Sequence, residues 1–125
     1  MSSELKNRTR SFALEVVCLC ADLPRISETR HVIGQLQRCS TSVAANYRAA
    51  CRAKSKSDFI AKLGIVEEEA DESLFWLEFL KSLNQARDLQ LDIRTTQELD
   101  RLSAEAGELL AITVASKKTA RRRCD

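Results

Sequence analysis

The chain has 125 residues, 44% of them hydrophobic, and its 20 Lys/Arg stand against 18 Asp/Glu for a net charge of +2. That length holds one domain with a real core and excludes two comfortable ones, while the composition excludes a disordered chain. Three Gly and one Pro interrupt a sequence dominated by Ala, Leu, Glu, Arg, Lys and Gln, all good helix formers, so the expected class is all-α.

The first predicted helix starts near Glu4 or Thr9 and runs to about Leu23. Phe12, Val16, Leu19 and Leu23 recur every three or four residues and form one apolar stripe. Pro24 ends it, because proline lacks the N–H and disfavours helical geometry in the residue before it. After the polar "RISET", a second helix covers about Thr29 to Lys54. Leu36, Ser40, Val43, Tyr47 and Ala50 follow the heptad spacing of a left-handed bundle. The segment "KSKS" breaks it, and Ser57 or Ser55 can cap the next helix.

The third helix runs from about Asp58 to Leu83, with Phe59, Leu63, Val66, Ala70, Leu74, Leu77 and Leu80 on its seam. Its second half, "LFWLEFL", is apolar around more than the stripe of about 100° that a monomeric bundle helix needs. Phe75, Trp76 and Phe79 are therefore assigned to an interface between subunits of an oligomer. "NQARDLQLDIR" reads as a polar connection whose three aliphatic residues tuck against the bundle. The fourth helix opens at "TTQE", where Thr95 and Glu98 have capping-box spacing, and continues through Leu99, Leu102, Ala106, Leu109 and Thr113 to about Ser116. Residues 1–116 are thus expected to form an up-down-up-down four-helix bundle, with residues 117–125 a flexible basic tail.

Catalytic chemistry finds little support. His31 is the one histidine, and no serine or cysteine sits in a nucleophile turn beside it. The acidic run Glu67–Glu72 contains i,i+4 carboxylate pairs, but a di-metal bundle also needs two Glu-x-x-His motifs, and the sequence has none. These acids read as solvated faces or as ion-pair partners for the arginines of the second helix. The expectation is a protein that is no enzyme and takes no metal or cofactor. Cys18, Cys20, Cys39, Cys51 and Cys124 contain no C-x-x-C pair, and no secretory signal or membrane span is seen. They read as reduced thiols of a cytoplasmic protein without a membrane partner, four of them small core residues and Cys124 a free thiol of the tail.

The distribution of charge is more informative than its total. Residues 1–57 carry +6, residues 58–110 carry −8 and residues 111–125 carry +4. On a straight second helix Arg38, Arg48 and Arg52 fall within about 80° of one another, a strip able to meet phosphates. Lys54, Lys56 and the tail residues Lys117, Lys118, Arg121, Arg122 and Arg123 extend it. Aromatic residues are scarce among these cations, and no RNP, KH, zinc-finger or helix-turn-helix pattern occurs, so binding of RNA or DNA would be directed at the backbone. The alternative is an adaptor that presents an assembled surface to another protein.

The segments "QLQR" (35–38), "SVAANYRAA" (42–50), "RAKS" (52–55) and "DFIAKLGIVEEEADESLFWLEFL" (58–80) closely resemble four-helix-bundle proteins encoded in bacterial 23S rRNA intervening sequences. The resemblance implies a left-handed up-and-down bundle assembled as a homopentamer, and it supplies no catalytic residue. Accessory proteins of diversity-generating retroelements share that fold, and they look like basic pentamers that bind nucleic acid and a reverse transcriptase. The present chain departs from that type in its acidic third helix and near-neutral charge.

Overall fold

Four helices make up nearly all of the described chain: α1 (Ser2–Ala21), α2 (Ser27–Cys51), α3 (Lys56–Arg87) and α4 (Ile93–Arg122). The computed structural model describes residues 2–123, and Cys124 lies outside them. No strand occurs among the described residues. Helix α1 meets α2 and α4, α3 meets the same two, and the diagonal pairs make no close backbone contact among the described residues. The packing is that of a bundle around one central core.

The apolar stripes fill that core. Phe12, Val16, Leu19 and Leu23 enter it from α1 and the residues just after it, and Leu36, Val43, Tyr47 and Ala50 from α2. Helix α3 contributes Leu63, Val66, Ala70, Leu77 and Leu80, and α4 contributes Leu99, Leu102, Ala106 and Leu109. Two seam positions of α3, Phe59 and Leu74, are only half-buried, and beside Leu74 it is Ser73 that is fully buried. The reason is close packing between α2 and α3. The Ser73 hydroxyl donates to the Glu69 carbonyl at 2.8 Å and lies 3.3 Å from the Cys39 sulfur, a contact that a leucine at this position would prevent.

The helix boundaries depend on local hydrogen bonding. Between α1 and α2, the fully buried Thr29 hydroxyl accepts from the Ile26 N–H and donates to the Pro24 carbonyl, fixing the turn after the proline. Helix α2 stops at Cys51, three residues before the expected end, so Lys54 lies in the connection to α3. Of the two candidate serines Ser55 is the cap, accepting from the Asp58 N–H at 3.1 Å.

Helix α3 takes in "NQAR" and ends at Asp88, whose φ of 48° is a left-handed conformation that Asp tolerates better than most residues. Leu89 is buried and Leu91 half-buried, but Ile93 is 69% exposed and does not tuck in. Helix α4 starts two residues before the expected box. Asp92 accepts from the Thr95 N–H at 2.8 Å, and its negative charge suits a helix N-terminus better than a threonine hydroxyl does. Glu98, expected to close a capping box, bonds Arg101 instead.

At the other end α4 passes the expected limit of Ser116 and remains helical through Arg122. No Gly or Pro follows Gly107, and cations in a last turn are favoured by the helix dipole. Lys117 meets Glu67 of α3 at 2.6 Å, and the Lys56 ammonium donates to the carbonyl of Arg123.

Two buried hydroxyls should behave in opposite ways. Thr29→Val strands an N–H and a carbonyl, and chemical denaturation should show a loss of about 1–3 kcal/mol. The Ser40 hydroxyl is buried with no partner among the described residues, so Ser40→Ala should be neutral or stabilising by up to about 1 kcal/mol.

Candidate nucleic-acid interface

The basic residues singled out from the sequence divide into two groups. Arg38 reaches across to α3, placing its guanidinium 2.5 Å from Glu72 and 3.3 Å from Glu69. Hydrogen bonds that it donates to Glu72 and then Glu69 raise its already high pKa further. Lys117 is similarly engaged with Glu67 and is mostly covered. These two cations link α2 and α4 to the acidic run of α3, as a charge-paired bundle requires.

The remaining cations lie toward one end. Arg48 and Arg52 are exposed on the last turn and C-cap of α2, and with Ala45 and Ala49 they line an open groove of about 400 Å³. The small residues make the groove, because two alanines between long side chains leave room at the helix surface. Lys54 follows on the connection and Lys56 opens α3, both exposed. Lys118, Arg121, Arg122 and Arg123 are exposed at the end of α4, and the Lys56–Arg123 hydrogen bond joins the two segments. The structure thus brings together residues that lie more than 60 positions apart in the chain. Arg38 is ten residues before Arg48, about 15 Å along the helix, and stands apart from this end.

Aromatic rings are placed elsewhere. Tyr47 is 5% exposed, and burial pushes its phenol up to about 12. Phe59 is half-buried against the core. On the outer side of α3, Phe75 and Phe79 are 54% and 43% exposed, with Trp76 half-buried between them. The His31 ring meets Trp76 edge-on at 5.3 Å, and Phe75 and Phe79 also lie against the indole. The three residues assigned to an interface therefore form one cluster, and His31 belongs to it, a neighbour that spacing within a single helix could not reveal.

The other chemical candidates are dispersed. Cys20 and Cys39 are buried, and desolvation pushes the Cys20 thiol up to about 11, far from a reactive thiolate. Cys18 is exposed rather than in the core. Among the described residues no group of three or more His, Cys, Asp or Glu is placed to hold a metal ion. No helix among them is long and apolar enough to cross a membrane. An open cleft of about 1100 Å³ lies between the end of α1, the 88–92 connection and the start of α4. Its rim mixes Glu15, Asp22, Asp92 and Glu98 with Arg94 and Arg101, so it has no cationic bias.

Two arginine links between α1 and α4 escaped the sequence reading. Arg8 holds Glu105 and Glu108, and Arg101 holds Glu15 and Glu98. Arginines facing carboxylates one helical turn apart were the available signal, but only the fold reveals which helices are neighbours.

The family model for the 23S rRNA-intervening sequence protein matches residues 2–112. The chain belongs to that family. The match stops short of the last ten residues of α4, so the cations at 117–123 lie beyond the part of the 23S rRNA-intervening sequence protein that the model describes. A crystal structure from Bacteroides thetaiotaomicron VPI-5482, described as a protein of unknown function from the S23 ribosomal protein family, superposes with a TM-score of 0.74. It is 27% identical, and the alignment covers 94% of this chain and 97% of that one. No curated protein matches.

Acid should weaken the fold in a defined window. Hydrogen bonds from the Thr95 N–H, Lys62 and Arg101 hold the carboxyls of Asp92, Asp58 and Glu98, respectively, below their ordinary values of 3.8, 3.8 and 4.5. Their contribution is complete above those values and is lost as pH falls through the lower folded ones. Thermal unfolding should therefore show a Tm that is flat above about pH 5 and falls below about pH 4.5, with Asp92→Asn giving a shallower fall.

Proposed function

We propose that this chain is a non-enzymatic, cytoplasmic, homo-oligomeric bundle that binds RNA or DNA through its basic end. The observation that carries the reading is the gathering of exposed cations from the α2–α3 connection and the two helix ends beside it, joined by the Lys56–Arg123 hydrogen bond. The aromatic residues needed to read unpaired bases are absent from this surface, so the contacts go to phosphates and the sequence specificity is weak. The architecture proposed is an up-down-up-down left-handed four-helix bundle. The short connections support it, and so does the ion-pair register, in which Glu67 meets Lys117 while the later Lys81 meets the earlier Asp100.

Assembly rests on the outer side of α3. Phe75 and Phe79 expose large apolar surface beside Trp76, and such surface is commonly covered by a partner. A second copy of the chain is the proposed cover, in a ring with five subunits as the family resemblance implies. The same cluster favours one other reading, an adaptor whose aromatic face docks a different protein. A pull-down from nuclease-treated lysate that recovers one dominant protein, lost in Phe75→Glu, would support the adaptor.

Fluorescence anisotropy with rRNA fragments should show binding at low salt that weakens steeply as salt rises. Absence of binding at low salt would overturn the nucleic-acid reading. Light scattering should report a multiple of the 14.0 kDa chain, reduced toward the monomer by Trp76→Glu or Phe79→Glu. A monodisperse monomer for the unaltered protein would overturn the oligomer.

A further inference from the structure

The structure ties the α2–α3 connection to the end of α4, and from this we infer that the two basic segments form one continuous phosphate-binding end, fitted to a nucleic-acid duplex rather than a single strand. The inference rests on the nucleic-acid reading above and names its ligand class.

Continuity comes from contacts. Arg52 is the C-cap of α2, Lys54 and Lys56 follow within four residues, and the Lys56 ammonium donates to the Arg123 carbonyl at the end of α4. Arg48 lies one turn back along α2, and Arg122 is the last residue of α4. The acidic residue in the first turn of α3, Asp58, is occupied by Lys62 at 2.7 Å and by the Lys54 N–H. Helix-dipole compensation explains one or two cations in a last turn, but α4 carries Lys118, Arg121, Arg122 and Arg123 in its last two turns and cap.

Two features favour a duplex. Single-strand binders stack bases on exposed aromatic rings, and the exposed rings here are Phe75 and Phe79, about 28 Å or more along α3 from Lys56. Charge density is the second. A duplex presents a phosphate about every 1.7 Å of its axis against about 3.4 Å for one strand, so a compact cationic end meets more charge on a duplex. Guanidinium groups also suit the bidentate geometry of phosphate oxygens.

The test is anisotropy titration of an RNA duplex and each of its component strands across a salt series. The proteins are the unaltered chain, Arg48→Ala/Arg52→Ala, Arg122→Ala/Arg123→Ala and the quadruple variant, each checked for unchanged helicity by circular dichroism. The duplex should bind more tightly than either strand. Each double variant should reduce the slope of log K against log salt by about 2, and the quadruple by about 4, since each phosphate contact contributes about 0.9. Replacing the same residues with lysine should restore the slope. A strand binding more tightly than the duplex would overturn the duplex assignment. A slope altered by one double variant and not the other would overturn the single continuous end. Both results would leave nucleic-acid binding standing. No binding to duplex or strand would overturn that reading together with this one.

Discussion

Burial of the α3 seam is the constraint that orders the rest of the molecule. Once Leu63, Val66, Ala70, Ser73, Leu77 and Leu80 must face the core, the rotation of a 32-residue helix is set. At about 100° per residue from Leu77, Glu67 falls near +80° and Glu69 near −80°, on the two flanks of the seam. Phe75 and Phe79 fall near 160° and 200°, directly away from the core. The observed partners agree with this rotation: Glu67 meets Lys117 of α4, Glu69 meets Arg38 of α2, and the two phenylalanines are exposed. Removing a core leucine on this seam would cost about 2–5 kcal/mol, which outweighs any single surface ion pair.

From this rotation follows the sorting of charge. The flanking carboxylates of α3 neutralise those cations that lie alongside its middle, namely Arg38 and Lys117. Cations beyond that reach, on the α2–α3 connection and at the end of α4, are exposed. The ion pairs themselves are weak at an exposed surface, and their importance is positional. They determine which basic residues face inward along the bundle and which are left facing solvent at its end. The acidic helix that makes the net charge almost neutral thus also takes up Arg38 and Lys117 along its two flanks.

How far the sequence revealed this depends on the range of the interaction involved. The four helices and most of the core stripe were legible, because apolar spacing reports directly on one helix face, although Leu5, Ala13, Val32 and Ile33, buried beside that stripe, were not named. Ser73 in place of Leu74 was not, since the choice depends on how closely Cys39 of the neighbouring helix approaches. Asp92 was a visible capping residue, overlooked because "TTQE" offered a fuller motif three residues later. The extension of α4 to Arg122 runs against the habit of reading a basic terminus as a tail, although nothing in "KKTARRR" breaks a helix. For the candidate site, the residue types were legible and their grouping was not. The strip containing Arg38 looked continuous on a helical wheel, yet Arg38 is drawn to α3, whereas Lys56 and Arg123 come together from distant parts of the chain. Likewise the link between His31 and Trp76 exists only once α2 and α3 are packed.

The central claim is that one end of the bundle, left cationic by the pairing along α3, is where this family member meets its ligand. Amide hydrogen exchange of the protein with and without an RNA duplex tests it most directly. The account predicts added protection confined to residues 48–58 and 117–123, with residues 27–31 and 74–80 unchanged. Protection concentrated around Trp76, or spread over the 88–92 connection and the start of α4, would contradict it.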